Sequence, residues 1–242
     1  MLPNVPLPPW IEPLATLFFP PQCALCLQPV DRHLYICPQC IRHLPWLNPT
    51  SCCQICAQPF EGDITESFTC PNCSLQQMYF QKTVSALRNH SGCRRLIIDF
   101  KYHAKSYLRF PLAQWLLETI RKSSLKPFDY LVPVPLHPLK LRIRGYNQAE
   151  LLAQELTKPL QTPMIPLLRR RRSTQTQTCL DRQSRIENLR NCFELVQNTN
   201  VMRKSILIID DILTTGSTVN DCARALIEGG ASRVQIATVA RS

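Results

Sequence analysis

The sequence predicts an α/β fold with a mainly parallel sheet, preceded by a small cysteine-rich module. Nine of the 13 cysteines lie between positions 23 and 73. After residue 81, segments with strand-like and helix-like patterns alternate along the chain. Four consecutive aliphatic residues, Ile206 to Ile209, precede two carboxylates. Such an uncharged run is typical of a strand that is buried on both faces of a parallel sheet.

Composition and charge divide the chain into two parts. With 242 residues, 45% of them hydrophobic and 19% charged, the chain has room for one ordinary globular domain and a small module. We place an N-terminal tether and cysteine module in residues 1–80 and an α/β domain in residues 81–242. The first part has a net charge of −3 and the second a net charge of +14. A domain this basic indicates an anionic partner: a phosphate-rich metabolite, a nucleic acid or an acidic protein.

The first 22 residues are apolar in places, but they are broken by prolines and lack a basic start. They do not fit a signal peptide, and we interpret them as a tether whose apolar side chains pack on a domain. No stretch approaches the roughly 20 apolar residues that are needed to span a bilayer. The sequence therefore predicts a cytoplasmic protein without membrane insertion.

Eight of the clustered cysteines form four Cys-x-x-Cys pairs. Each pair can place two thiolates on one tetrahedral metal ion at about 2.3 Å, and two pairs complete a closed structural zinc site. We assign the first site to Cys23, Cys26, Cys37 and Cys40. We assign the second site to Cys53, Cys56, Cys70 and Cys73. A cross-braced arrangement, which joins the first pair with the third and the second with the fourth, stays open at this point.

We assign no metal ion to the remaining cysteines. Cys52 is a spare beside Cys53, although it could replace Cys53 as a ligand. We interpret the four isolated cysteines as packing residues or free thiols. They are Cys93, Cys179, Cys192 and Cys222. A redox role fits the paired cysteines poorly, because it requires a Cys-x-x-Cys that opens a helix beside a sheet.

The α/β domain begins with a strand over residues 82–88, followed by helical spacing over residues 94–102 and a helix over residues 110–121. A short strand over residues 130–134 and an amphipathic helix over residues 147–156 come next. The domain thus alternates strands and helices, as a parallel sheet requires.

A basic loop punctuated by prolines joins that short strand to the next helix, with Lys140, Arg142, Arg144 and Gly145 as candidate pyrophosphate-binding residues. Arginine supplies fork-shaped donors and lysine a compact charge, which together suit a pyrophosphate group. The alternative is that these basic side chains alternate on an exposed strand and are simply solvated. His137 is interpreted as a turn residue rather than a catalyst.

A second cationic segment starts with four arginines, Arg169 to Arg172, and continues with six Ser, Thr or Gln residues. It could form a flexible loop that closes over a bound polyphosphate. It could equally follow a nucleic-acid backbone, or it could be a solvated face.

The segment SILIIDDILTTGSTV, residues 205–219, is the most specific pattern in the chain. A strand delivers Asp210 and Asp211 to its tip, and a Thr/Gly/Ser turn then opens a helix that Gly229 and Gly230 end. The turn can direct N–H groups and hydroxyls at a phosphate, which the helix dipole also favours. The two acids can hold a ribose diol or Mg²⁺. The segment therefore predicts a site for a phosphorylated ribose.

This segment resembles the phosphoribosyl-diphosphate (PRPP) motif of type I phosphoribosyltransferases. The resemblance implies a doubly wound α/β core and contacts from Asp210 and Asp211 to the ribose hydroxyls of Mg²⁺-bound PRPP. It implies that the 5′-phosphate is held by Thr214, Thr215, Gly216, Ser217 and Thr218. Enzymes of this fold that act on 6-oxopurines carry a further Asp at the position of Thr214, which argues against that substrate class.

The basic loop, the cationic segment and the PRPP motif occur in the order found in the ComF/GntX family, which also has an N-terminal cysteine module. The resemblance runs from Cys23 to Arg241 and links the protein to DNA uptake in natural transformation. It implies that Lys140, Arg144, Gly145, Asn147 and Gln148 form the pyrophosphate-side loop. It implies that Arg170, Arg172, Thr174 and Gln177 belong to the flexible loop. Tyr146 stands where many relatives have Phe, a difference that we expect to be neutral.

The leading hypothesis is a phosphoribosyltransferase, a glycosyltransferase that moves a pentosyl group from Mg²⁺-PRPP to an unidentified acceptor and releases pyrophosphate. Its catalytic residues would be Asp210, Asp211, Lys140 and Arg144, and no residue is singled out as a general base. The alternative is a competence factor that binds single-stranded DNA through its basic face, with competence-machinery proteins as partners. A third hypothesis is a regulator that senses PRPP without turnover.

Overall fold

The computed structural model describes residues 20–31, 34–62, 68–170 and 192–242. The chain forms two compact units, Met1–Leu44 and Pro45–Ser242. The first cysteine group belongs to the first unit, and the second group belongs to the same unit as the α/β core. The boundary at residue 80 inferred from composition stays a prediction.

The two cysteine groups are built as a structural repeat. In the first, an isolated bridge joins Gln22 to Pro29 around the first Cys-x-x-Cys turn, and the helix α1 (Pro38–Arg42) begins at the second pair. In the second, Cys52 pairs with Pro59 in the same way, and the helix α2 (Pro71–Leu75) begins at the second pair. Both helices start with proline, which suits the first helical position because that position needs no N–H donor.

The central sheet has four parallel strands in the order β1-β6-β5-β2. A separate antiparallel pair consists of β3 and β4. The strands are β1 (Lys82–Arg88), β2 (Tyr130–Pro133), β3 (Leu168–Arg170), β4 (Phe193–Leu195), β5 (Ser205–Leu213) and β6 (Arg233–Arg241). Because the sheet is parallel, the carboxyl ends of all four strands meet at one edge.

Helices cover the sheet. They are α3 (Ser91–Tyr102), α4 (Arg109–Lys122), α5 (Pro138–Arg144), α6 (Gln148–Leu160) and α7 (Ser217–Glu228), with short 3₁₀ turns at Pro49–Ser51 and Ser106–Leu108. Helices α4 and α6 contact each other, α4 contacts β1 and β6, and α6 contacts β2 and β5. Helix α7 shares a buried cluster with Ile206 and Ile208 of β5, whereas Leu207 and Ile209 point to the other face because side chains alternate along a strand. The predicted doubly wound α/β fold is confirmed.

The structure corrects two local expectations. The basic loop after β2 is the helix α5, because Pro138 starts it, the His137 ring nitrogen Nδ1 accepts a hydrogen bond from the Leu139 N–H at 3.2 Å, and Gly145 ends it with φ of 78°. The strand β5 continues to Leu213, so Asp210 and Asp211 lie within the strand and not beyond its end. In the described part of the chain, no helix has both the length and the apolar character needed to cross a membrane.

Candidate functional site

The cysteine groups have the geometry of two closed metal sites. In each group the four sulfur atoms lie within 4.8 Å of one another, and the groups pair the cysteines sequentially. The sequential assignment is confirmed, and the cross-braced alternative is wrong. Backbone N–H groups donate to ligand sulfurs at equivalent places: Cys37 N to Cys23 Sγ and Cys70 N to Cys53 Sγ, both at 3.3 Å.

This arrangement fits a four-thiolate structural zinc site, because converging sulfurs that accept N–H bonds are stabilised as thiolates. Four thiolates close the coordination sphere, so neither site has a position for substrate. The Cys52 thiol lies outside the second group and donates to the Asn48 carbonyl at 3.0 Å. Cys52 is therefore a spare, as expected.

The two carboxylates of β5 have different surroundings. Asp211 is buried, and its Oδ1 lies 2.9 Å from the Lys101 ammonium at the end of α3. Asp210 is only partly exposed, and its Oδ1 accepts the Asp211 N–H at 2.8 Å. Burial, followed by the adjacent Asp211 charge, raises the pKa of Asp210 to about 8. The raised pKa favours the protonated form of Asp210 at neutral pH.

Lys101 is the residue of the site that the sequence did not reveal. A single lysine in the last turn of a helix is common, because cations there interact favourably with the helix dipole. The pairing with Asp211 depends on how α3 lies over the sheet edge, and no local pattern records that. The α3 sequence offers no motif that would have singled out this side chain.

The turn after β5 is open to solvent. Thr214, Thr215, Ser217 and Thr218 are exposed, and the Thr215 and Ser217 hydroxyls lie 3.0 Å apart. Gly216 adopts φ of 86° at the N-cap of the 12-residue helix α7. The first turn of α7 has neither an acidic residue nor a capping side chain at Gly216. The Ser217 N–H donates to the Thr215 hydroxyl at 3.5 Å, and no acidic side chain in the first turn occupies the positive end of the helix dipole.

Arg144 is held in place by Tyr102, the residue after Lys101. Its guanidinium lies 4.8 Å from the centre of the Tyr102 ring and donates to the Tyr102 hydroxyl at 3.2 Å. It also donates to the side-chain oxygen of Gln148 at 3.0 Å. These contacts restrict the side chain of Arg144.

The segment after α5 is fastened to the end of α3. The Tyr146 hydroxyl donates to the Phe100 carbonyl at 2.6 Å, and the Gln148 amide donates to the same carbonyl at 3.3 Å. Asn147 caps α6 and donates from Nδ2 to the Val134 carbonyl at 3.0 Å. These three side chains thus shape the predicted pyrophosphate-side loop. The hydroxyl of Tyr146 has a partner that Phe would lack, so the expectation of a neutral difference does not fit the structure.

The other predicted basic residues of the described chain lie on α5 and on β3. Lys140 and Arg142 are exposed on α5. Arg169 and Arg170 belong to β3: Arg169 Nε lies 2.8 Å from Glu194 Oε1, and the Arg170 guanidinium lies 5.5 Å from the Phe193 ring centre. The predicted flexible-loop residues Arg172, Thr174 and Gln177 lie outside the described residues, as does Cys179.

Comparisons with known proteins agree with this geometry. Residues 14–74 match a family model described as a double zinc ribbon domain, and residues 144–242 match a phosphoribosyl transferase domain. Competence protein F of Haemophilus influenzae is 32% identical over 179 residues, which cover 72% of this chain and 78% of that protein. DNA utilization protein YhgH of Salmonella typhimurium is 31% identical over 225 residues, covering 91% and 90%.

A solved structure of glutamine PRPP amidotransferase from B. subtilis aligns at 18% identity and a TM-score of 0.40, covering 57% of this chain and 30% of that one. The family assignment rests on the two domain matches and on relatives that align along most of their length. The chain belongs to the ComF family of phosphoribosyltransferase-like proteins, with an N-terminal double zinc ribbon.

Proposed function

We propose that this protein binds Mg²⁺-PRPP at the carboxyl edge of β5 and transfers its phosphoribosyl group to an acceptor with release of pyrophosphate. One observation supports this most directly: Asp210, Asp211 and the open N-terminus of α7 follow one another along a single strand-turn-helix segment. That segment offers acceptors for a ribose diol and donors for a 5′-phosphate within a few residues.

Each group in the site has a separate task in the proposed reaction. The carboxyl oxygens of Asp210 and Asp211 accept hydrogen bonds from the ribose hydroxyls, and the negative charge of the pair favours an oxocarbenium-like transition state. The fixed guanidinium of Arg144 and the ammonium of Lys140 bind the pyrophosphate as charge accumulates on it. Lys101 neutralises Asp211 until the ligand enters.

The residues also fit the magnesium ion that PRPP would bring. Carboxylate oxygens are the hard ligands that Mg²⁺ prefers, and Asp210 and Asp211 supply them beside the ribose position. When bound, Mg²⁺ would neutralise charge on the pyrophosphate. The described site contains no group placed as a general base, so the acceptor must be nucleophilic by itself or lose its proton to solvent.

Titration calorimetry with PRPP tests the proposal, with and without Mg²⁺. We expect Mg²⁺-dependent binding by the wild type and a loss of at least tenfold in affinity for Asp210→Ala and for Asp211→Ala. Glu118→Gln, which removes an exposed carboxylate on α4, is the matched control and should bind normally. A screen of nucleobases and amines for pyrophosphate release then identifies the acceptor. If the wild type does not bind PRPP, or if the alanine variants bind it equally well, the proposal is wrong.

A second candidate function, binding of single-stranded DNA, is favoured by the surface of α5. Lys140 and Arg142 are exposed there beside Leu139 and Ile143, and Ile143 is 83% exposed. Cationic groups next to apolar side chains suit a strand whose phosphates and bases are both accessible. The names of the relatives from Haemophilus influenzae and Salmonella typhimurium, which refer to competence and to DNA utilization, agree with this candidate.

The salt dependence of DNA affinity tests this second candidate. Removing Lys140 and Arg142 together should reduce the slope of log K against log salt by about 1.4, since each phosphate contact on a single strand contributes about 0.7. The matched control is the double variant Lys122→Ala, Lys126→Ala, which removes the same charge elsewhere on the surface. A flat salt response of the wild type, or an equal effect of the control, would rule it out.

A further inference from the structure

Arg241, at the end of β6, is a buried cation that joins two sites. Only 4% of the Arg241 surface is exposed to solvent. Nε donates to the Cys56 carbonyl at 2.8 Å, and Nη2 donates to the sulfur of the same residue at 3.6 Å. Nη1 donates to the carbonyls of Leu213 at 3.1 Å and of Thr214 at 2.5 Å, and to a main-chain oxygen of Ser242. One guanidinium thus contacts a ligand of the second cysteine group and the start of the phosphate-binding turn.

The acceptors explain why a charge is tolerated at this depth. A buried guanidinium is costly unless acceptors and a counter-charge surround it. The hydrogen-bond partners of Arg241 within the described residues are main-chain oxygens and the Cys56 sulfur. Four thiolates around one divalent metal ion leave a net negative charge, which supplies the counter-charge. The N–H donors of Arg241 therefore fit a second site that is loaded with zinc better than they fit four neutral thiols.

A second side chain, that of Asn220, connects the helix after the turn to the segment that follows the second cysteine group. Asn220, in the first turn of α7, accepts the Tyr79 N–H at 2.8 Å and donates to the Gln77 carbonyl at 3.0 Å. Residues 77–79 follow α2, which carries the ligand Cys73. The turn from Thr214 to Ser217 is therefore held on both sides by the segment that forms the second cysteine group.

We propose that Arg241 is a positioning residue that couples zinc at the second site, Cys53, Cys56, Cys70 and Cys73, to the shape of the phosphate-binding turn. PRPP binding and zinc retention at this site then strengthen each other, because coupling between two ligands is reciprocal. The first site, in the other compact unit, has no part in this coupling. The proposal rests on the proposed function, since PRPP is the ligand of the turn.

Zinc release from the full-length, zinc-loaded protein measures the coupling. A chromophoric chelator follows the loss of both ions, and a Cys26→Ser variant, which lacks one ligand of the first site, identifies the phase that belongs to the second. We expect Mg²⁺-PRPP to slow the second-site phase by about fivefold or more and to leave the first-site phase unchanged. Mg²⁺ alone, without PRPP, should leave both rates of zinc release unchanged.

The Arg241→Lys variant tests the residue itself. Lysine keeps the charge but cannot donate to Cys56 and to the turn at the same time. We expect faster zinc release from the second site alone, weaker PRPP binding by about tenfold, and loss of the protection that PRPP gives. Arg233→Lys, at the opposite end of β6, is the matched control and should behave as the wild type.

The outcomes separate the two proposals. If calorimetry shows no PRPP binding to the wild type, the proposed function fails. If the wild type binds PRPP but the ligand leaves zinc release unchanged, the coupling is overturned even though the proposed function stands. Normal PRPP affinity of a folded Arg241→Lys variant would also overturn it. Because PRPP protection is measured on the wild type, the proposal remains testable if that variant does not fold.

Discussion

Lys101 Nζ lies 2.9 Å from Asp211 Oδ1, and this ion pair joins the end of α3 to the strand that carries Asp210 and Asp211. The two residues are far apart in sequence, and both side chains are largely shielded from water. An ion pair of this kind fixes geometry more than it adds stability, because both charges lose hydration when they are buried. It also keeps a cation beside the position proposed for the ribose.

Breaking this pair on one side should be costly. We expect Lys101→Met to lower the free energy of unfolding by about 3 kcal/mol, because it leaves the Asp211 carboxylate buried without a partner. Urea unfolding at pH 7 measures the change. Adding Asp211→Asn should restore most of the loss, so a double-mutant cycle yields a favourable coupling energy. Additive effects of the two substitutions would contradict this interpretation.

The raised pKa of Asp210 predicts a pH-dependent stability. Burial and the Asp211 charge raise that pKa to about 8, from an ordinary value of 3.8. Between these values the folded state retains a proton that the unfolded state has released, so stability falls as pH rises. The contribution is fully present below about pH 4 and is lost as pH passes through about 8.

Asp210→Asn removes this titration. We expect its midpoint of thermal unfolding to exceed that of the wild type by an amount that grows from pH 5 to pH 8 and then levels off. Calorimetric scans across this range provide the measurement, with Glu118→Gln as a control that should show no such trend. A difference that is constant with pH would mean that Asp210 titrates normally.

Tyr146→Phe should not be neutral. The substitution deletes the hydroxyl that donates to the Phe100 carbonyl at 2.6 Å, while Gln148 still donates to that carbonyl. We expect the free energy of unfolding to fall by about 1 kcal/mol, which is the usual net contribution of one hydrogen bond to stability. Tyr130→Phe is the control, since no hydrogen bond from its hydroxyl is found within the described residues. Equal stability of the two variants would show that the Tyr146 hydroxyl contributes nothing.

Gly216→Ala separates backbone strain from ligand binding. A Cβ at this position meets no atom within 4 Å, so the cost in the folded protein comes from φ of 86° alone and should be about 1 kcal/mol. Gly62→Ala has a similarly open site with φ of 107° and is the control. Both variants should lose stability by chemical denaturation, but only Gly216→Ala should weaken PRPP binding, because its methyl group occupies the anion site.

Metal analysis of the purified protein should give two zinc ions per chain, one for each four-cysteine group. Chelation should unfold the ribbons, since metal binding supplies much of the folding free energy of such modules. Circular dichroism after chelation and after zinc is restored tests this. Less than one zinc per chain would refute both metal assignments.

The sequence by itself determined the features that depend on neighbouring residues. The four Cys-x-x-Cys pairs, the buried strand that carries Asp210 and Asp211, and the turn that opens α7 are each set by a short stretch of chain, because ligand spacing and hydrophobic periodicity act locally. The helix α5 was missed because the prolines and basic side chains indicated a loop, whereas Pro138 and Gly145 act as the two ends of a short helix.

Only the tertiary structure decided which distant side chains meet at the site. Lys101 reaches Asp211 through the packing of α3 over the sheet edge, and Arg241 reaches Cys56 across 185 positions in the chain. Sequential rather than cross-braced pairing of the cysteines was also settled only by folded geometry. Buried charges select partners by distance and desolvation in the folded chain, and no spacing in the sequence records those quantities.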